Sequence, residues 1–267
     1  MDAVQYIEET RAVNVRGAVY VETDADPSQA LVEADWIAHY AKQIETNEQF
    51  GGIQAIVAYA PVHQGHLVQG YLQLLVRLVG DQLRGVRYLI QDPTLDPERV
   101  TKPEFIAGVQ SLEQFGLSFD LVINSHAAPE QFSPLCELVS QCPRVQFVLD
   151  HMAKPPCDSR PGQVAFEKWK SDMLSLGRLR NVACKVSGLV TETTDPPTVE
   201  QLRPFVDVAL QAFGNDRIMF GGDWPVCENA VRWQRWIELL SEIVKDWSKE
   251  DRHKLFFTNA VRIYRLK

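Results

Sequence analysis

Seven short apolar runs recur along this chain at nearly even spacing, and a stretch of helical periodicity follows each. The runs cover 16–22, 53–59, 85–90, 118–124, 145–149, 181–186 and 218–220. They are rich in Val, Ile, Leu and Phe, and too short to be buried helices, so they read as strands. Between them lie segments with apolar residues on one helical face. In 67–78, for example, Leu67, Tyr71, Leu74, Leu75 and Leu78 share a face. The other helical segments are 103–115, 129–140, 166–175 and 199–213, then 231–247 and 249–264 at the end. Residues 1–14 are also helical in pattern, and Ser28 is placed to cap a helix that runs to 44.

Strands that alternate with helices in this way imply a parallel sheet, because each crossover needs a helix to return the chain to the same edge. The mean step between strands is about 34 residues, against roughly 31 per unit in a closed eight-stranded barrel of about 250 residues. With 267 residues, one such domain fills the chain, 1–267. The expected fold is therefore α/β, a TIM-type (β/α)8 barrel with seven parallel strands visible. Because the chain opens on a helix, the strand not seen is expected to be the first. A gap should then separate 16–21 from 218–220. An open doubly wound sheet would carry a glycine-rich phosphate loop after an early strand, and no GxGxxG or P-loop is present.

Composition narrows the function. A formal charge of −8 argues against nucleic acid, which needs a basic face. No apolar run approaches the roughly 18 residues of a membrane span, and the first residues are acidic, unlike a secretory leader. The five cysteines, Cys136, Cys142, Cys157, Cys184 and Cys227, form no CxxC pair. Reduced thiols and a cytoplasmic location are expected. The expected partner is a small-molecule substrate, and a homo-oligomer is compatible with the sequence.

Polar residues at the C-terminal ends of parallel strands are the usual catalytic positions of such a barrel. Two strands deliver them conspicuously. The run Ile218-Met219-Phe220 meets Gly221 and Gly222 and then presents Asp223, Trp224 and Pro225. The run Val145 to Leu149 presents Asp150 and His151, with Lys154 and Pro155 beyond. Asp223 either deprotonates a water or caps the following helix. His151 either donates to a developing oxyanion, or binds metal, or packs in its loop. Asp150 orients His151 or accepts from a backbone donor. Arg87 and Lys185, charged and within strands, face the barrel mouth and bind substrate oxygens or pair with acids. Lys154 is a further candidate for substrate contact. Trp224 walls the pocket or packs at the strand end, and Glu22 ends its strand where it could face the pocket. His126 follows the fourth run, either as a metal ligand or within a helix cap. Trp233 and Trp236 lie at helical spacing, as packing residues.

An ordered set of blocks carries a resemblance. They are Gly85-Val86-Arg87, Leu117 to Leu121, Phe147 to Pro155 with its Asp-His-x-x-Lys-Pro core, Lys185-Val186-Ser187-Gly188, Phe220 to Val226, and Asn259-Ala260. In this order, over roughly residues 15 to 265, the sequence resembles the amidohydrolase superfamily, in its sugar-lactone hydrolase branch. The resemblance implies the barrel, a hydrolytic site at the strand ends, and a lactone substrate, either a sugar lactone or a related dicarboxylate lactone. It implies Asp223 as general base and His151 as ligand or oxyanion donor. It also implies a divalent metal such as zinc, with His151, Asp223 and His126 as the ligand candidates. Members of the family open with a strand ending in His-x-His. None of the six histidines here forms that pair, which leaves metal binding dependent on the other residues. The competing expectations are a decarboxylase or amide hydrolase on the same barrel, and a catalytically inactive barrel that acts as a binding protein.

Overall fold

A computed structural model describes residues 2–44, 46 and 50–266. Met1, the first residue of the expected N-terminal helix, lies outside them. Helix α1 (Ala3–Thr10) starts in a capping box, in which Asp2 accepts from the Gln5 backbone N–H and the Gln5 side chain accepts from that of Asp2. Strands and helices then alternate: β1 (Ala18–Val21), α2 (Ala30–Gln43), β2 (Ile53–Tyr59), α3 (Val68–Val79), β3 (Leu83–Arg87), α4 (Pro103–Phe115), β4 (Ser118–Leu121), α5 (Phe132–Gln141), β5 (Phe147–Leu149), α6 (Val164–Gly177), β6 (Val182–Val186), α7 (Val199–Phe213), β7 (Ile218–Phe220) and α8 (Trp233–Ile243).

All seven strands are parallel and pair in sequence order, β1 to β7. Among the described residues β1 and β7 do not pair. The sheet is thus the curled, open form of a TIM-type barrel, with the gap where the strand count placed it. Its outer face is apolar, and its inner face is apolar apart from the charged side chains of Arg87, Asp120 and Lys185. Ile56, Phe119, Phe147, Val182 and Ile218 point outward into the helical layer. Val57, Val148, Ala183 and Met219 point inward. Ile263 and Tyr264, from the chain's last turn, pack on that inner face.

Several spans shift at their ends: the 85–90 run forms its strand at Leu83–Arg87, and the 1–14, 129–140 and 231–247 helices become Ala3–Thr10, Phe132–Gln141 and Trp233–Ile243. Three further departures have a visible cause. Ser28 does not cap the helix after β1. Asp26 accepts from its N–H at 2.8 Å and its hydroxyl at 2.6 Å, which fixes a 3-10 turn (Pro27–Gln29) ahead of α2. The 118–124 and 145–149 runs yield shorter strands, because Val122, Ile123 and Val145 continue the apolar pattern outside the ladder. The final 249–264 helix is not continuous. It is α9 (Lys249–His253), a π-turn (Lys254–Thr258) and α10 (Asn259–Ile263). The Asn259 amide donates to the carbonyls of Asn215 and Ile218 at 2.6 and 2.7 Å, which ties this break to β7.

Candidate active site

Alternation along the strands places Arg87, Asp120 and Lys185 on the inner face, next to the strand ends that deliver Glu22, Asp150, His151 and Asp223. Their side chains form one buried chain of charges. Arg87 Nε donates to Glu22 at 2.5 Å and its Nη1 to Asp150 at 3.1 Å. Its Nη2 donates to the Glu22 carbonyl oxygen at 2.5 Å. The Lys185 ammonium bridges Asp150 at 2.6 Å and Asp120 at 2.7 Å. The Tyr264 hydroxyl donates to Asp120 at 2.7 Å, and the Lys185 ammonium lies 5.5 Å from the centre of the Tyr264 ring.

Three carboxylates and two cations thus share a water-poor space, where each group shifts the others. Burial alone would raise the Asp150 carboxyl, but Lys185 and Arg87 hold it below its usual range. Burial wins at Asp120, whose carboxyl is raised despite Lys185. For Lys185 and Arg87 burial favours the neutral form, and their acidic neighbours more than reverse it. Both cations stay charged.

His151 and Asp223 face one another at the rim of this network, with His151 Nε2 3.7 Å from an Asp223 oxygen. His151 Nδ1 is 3.0 Å from the Ser187 hydroxyl. A Ser187 hydroxyl that donates to Nδ1 leaves the imidazole proton on Nε2, aimed toward Asp223. Burial lowers the His151 pKa, helped by Lys185 and Arg87, so the ring is neutral at pH 7. Burial raises the Asp223 carboxyl, against the pull of His151. A neutral donor thus lies beside a carboxylate with raised basicity. This arrangement can take a proton from water and stabilise charge on a carbonyl oxygen.

Backbone strain concentrates at the same two residues. His151, Met152, Ala153 and Lys154 all have left-handed φ, between 50° and 64°, and so does Asp223 at 53°. For residues with a Cβ each such conformation costs on the order of 1 kcal/mol. The surrounding structure holds it. The Trp169 indole N–H donates to the Met152 carbonyl at 3.0 Å, and the Ser125 hydroxyl donates to that of Ala153 at 2.6 Å. Gly188 closes the space behind His151. At its φ of 67° a Cβ would lie 2.7 Å from the His151 Cβ.

The structure therefore brings together His151, Asp223, Arg87 and Lys185 of the expected site. It leaves three others outside the pair or at its edge. The Trp224 indole N–H donates to Glu9 of α1 at 2.7 Å and its ring packs edge-on to Tyr6, so it faces the N-terminal helix. Lys154 is half-buried in the strained turn, its backbone N–H bonded to the His151 carbonyl at 2.8 Å. His126 is exposed. Asp150 takes neither part expected of it, since its oxygens go to Arg87 and Lys185 while Ser187 contacts His151. Asp120, Ser187 and Tyr264 were not singled out in sequence. Asp120 and Ser187 stand inside the quoted blocks, beside Leu121 and Lys185, and strand alternation could have flagged Asp120. For Tyr264 no local signal exists.

A metal ion fits this donor set poorly. Catalytic zinc usually takes three protein ligands. Only His151 and Asp223 converge here, and among the described residues no three His, Cys, Asp or Glu side chains group as a metal site.

Comparisons with known proteins agree with this architecture. An amidohydrolase of Burkholderia multivorans has been solved with bound HEPES and, in another crystal form, with bound zinc. It superposes with TM-scores of 0.83 and 0.82, at 25% identity, over 99% of this chain and 88% of its own. An L-fucono-1,5-lactonase of Burkholderia multivorans is 30% identical over 70% of this chain and 64% of its own length. An L-rhamnono-gamma-lactonase of Scheffersomyces stipitis is 25% identical over 98% of this chain and 89% of its own. The Amidohydrolase family profile matches residues 3–266. With its inward-facing charged residues at the strand ends and a profile match along nearly its whole length, this chain belongs to the amidohydrolase family, and it is a hydrolase of the kind that includes sugar-lactone hydrolases.

Proposed function

We propose that the chain opens a small sugar lactone by attack of a water that Asp223 deprotonates. The observation that carries this reading is the His151–Asp223 pair, 3.7 Å apart at the strand ends. One member is kept neutral and the other is made more basic by burial. The relatives named as fucono- and rhamnono-lactonases support the substrate class.

In the proposed reaction the water oxygen bonds to the lactone carbonyl carbon while its proton passes to Asp223. His151 Nε2–H donates to the carbonyl oxygen as it becomes an oxyanion, held in that tautomer by Ser187. Collapse of the tetrahedral intermediate breaks the bond to the ring oxygen. That oxygen takes the proton back from Asp223, and the open hydroxy acid leaves. Arg87 and Lys185 supply positive potential beside the site and keep Asp150 ionised behind His151. No step here is assigned to a metal.

The test is hydrolysis of aldonolactones followed by proton release. Asp223→Asn should lower kcat/KM about a hundredfold to ten-thousandfold, the usual contribution of a general base. His151→Gln should lower kcat about a hundredfold or more, as for a lost oxyanion donor. Turnover that persists unchanged in Asp223→Asn would sink the mechanism.

A further inference from the structure

A cavity of about 460 Å³ opens at the C-terminal ends of β1, β2 and β3, on the sheet end that also carries His151 and Asp223. Its size is that of a small-ligand pocket. Its polar lining is Glu22, Asp24, Tyr59, His63, Gln64 and Tyr88. Neither His151 nor Asp223 lines it, so it is a compartment beside the reacting pair. Glu22 joins the two, since it lines the cavity and grips Arg87, which in turn holds Asp150.

The lining has two properties that select a ligand. The first is free hydrogen-bonding capacity. Among the described residues the side-chain heads of Asp24, Tyr59, His63, Gln64 and Tyr88 have no hydrogen-bond partner, although the rings of Tyr59, His63 and Tyr88 pack together, with centres 4.9 and 5.9 Å apart. Hydroxyls, an amide, an imidazole and a carboxylate offer both donors and acceptors, and the tyrosine faces offer an apolar wall. The second is charge. The lining contains no lysine or arginine, and of its two carboxylates Glu22 is paired with Arg87, while Asp24 has no cation partner among the described residues. Burial keeps His63 neutral at pH 7 by lowering its pKa. Such a wall repels anions.

Resting on the lactonase reading above, we infer that this cavity holds the uncharged, polyhydroxylated part of the substrate, and that Asp24 discriminates against lactones bearing a carboxylate. Tyr59, Tyr88 and Gln64 are then specificity residues, and dicarboxylate lactones are excluded by charge.

Gluconolactone and the corresponding glucarolactone differ at one end, a hydroxymethyl against a carboxylate. Their binding is measured by calorimetry on the Asp223→Asn protein with freshly dissolved lactone at mildly acidic pH, so that neither enzymatic nor spontaneous opening competes. Gluconolactone should bind at least about tenfold more tightly, a difference of roughly 1.4 kcal/mol. Asp24→Asn, at an exposed position, should narrow that ratio severalfold. Tyr88→Phe should weaken gluconolactone about threefold to tenfold, as for one lost hydrogen bond. Equal or tighter binding of glucarolactone, no binding of either, or a ratio untouched by Asp24→Asn would overturn the inference. Selective binding of gluconolactone by a protein that hydrolyses no lactone would uphold the cavity assignment and overturn the hydrolytic reading instead.

Discussion

At the scale of single residues, the site is built by holding groups in conditions they do not favour. Asp223 is the clearest case. Its folded pKa lies above the unfolded value of 3.8, so its protonated form is favoured by folding. The corresponding stability is present at low pH and lost as the pH rises through the folded pKa. At neutral pH the ionised Asp223 therefore opposes folding, and Asp223→Asn should raise the urea midpoint at pH 7 while removing activity. The same shift fixes the acid limb of kcat/KM. It should fall as Asp223 is protonated, at a higher pH than an unperturbed aspartate would give. Asp150 behaves in the opposite sense. Its pKa is lowered, so its contribution is present above the unfolded value and is lost as pH falls through the folded one. Asp150→Asn leaves Arg87 and Lys185 short of a counter-charge in a buried network. It should destabilise by about 3–5 kcal/mol, the usual cost of removing one partner of a buried pair, measured by urea unfolding at pH 7.

Elements fix where these residues can be. The strands and most helices were legible in sequence because the strands are mostly apolar on both faces and the helices carry a clear inward stripe. The spans 53–59, 103–115, 199–213 and 218–220 match the structure residue for residue. Strand ends were less legible, since Val122, Ile123 and Val145 are apolar outside the ladder. Two glycines give opposite predictions at this scale. Gly108 of α4 approaches the turn after β2 so closely that a Cβ would lie 1.8 Å from the Val62 carbonyl oxygen. Gly108→Ala should therefore cost about 1–3 kcal/mol by overpacking. Gly70 in α3 has open space, with nothing within 4 Å of a Cβ. Gly70→Ala should stabilise by up to about 1 kcal/mol through helix propensity and chain entropy. Thermal unfolding of the two variants side by side checks both signs. The tryptophans read as packing residues are buried on α8. Trp236 also donates to the Gly221 carbonyl at 2.9 Å, which steadies the turn that presents Asp223.

For the whole molecule, the open sheet raises the question of what fills its inner face. Below the charged network the answer is the last turn of the chain. Tyr264 reaches Asp120 across 144 residues of sequence and lies wholly buried beside Lys185. Arg84 and Arg265 exchange side-chain bonds to each other's carbonyls at 3.2 and 3.1 Å, which closes the same end. Tyr264→Phe keeps the ring and removes one donor, and should cost about 1–2 kcal/mol. Tyr264→Ala also leaves a cavity under the charged network and should cost about 3–5 kcal/mol. Denaturant midpoints at one pH separate the two.

Sequence by itself determined the alternating order of strands and helices, the parallel sheet, and the two strand ends that present His151 and Asp223. These follow from local periodicity and from glycine, proline and polar residues at fixed offsets, all written within a few residues of each other. Only the tertiary structure decided which charges meet. Glu22 to Arg87, Arg87 to Asp150, Lys185 to Asp120, and Asp120 to Tyr264 are pairs from different strands or from the chain's last turn, 63 to 144 residues apart. It also turned Trp224 toward α1 and left His126 in solvent. The reason is physical. Periodicity tells a side chain which face of its own element to take, whereas a buried charge is satisfied by whatever partner the closed packing brings within about 3 Å.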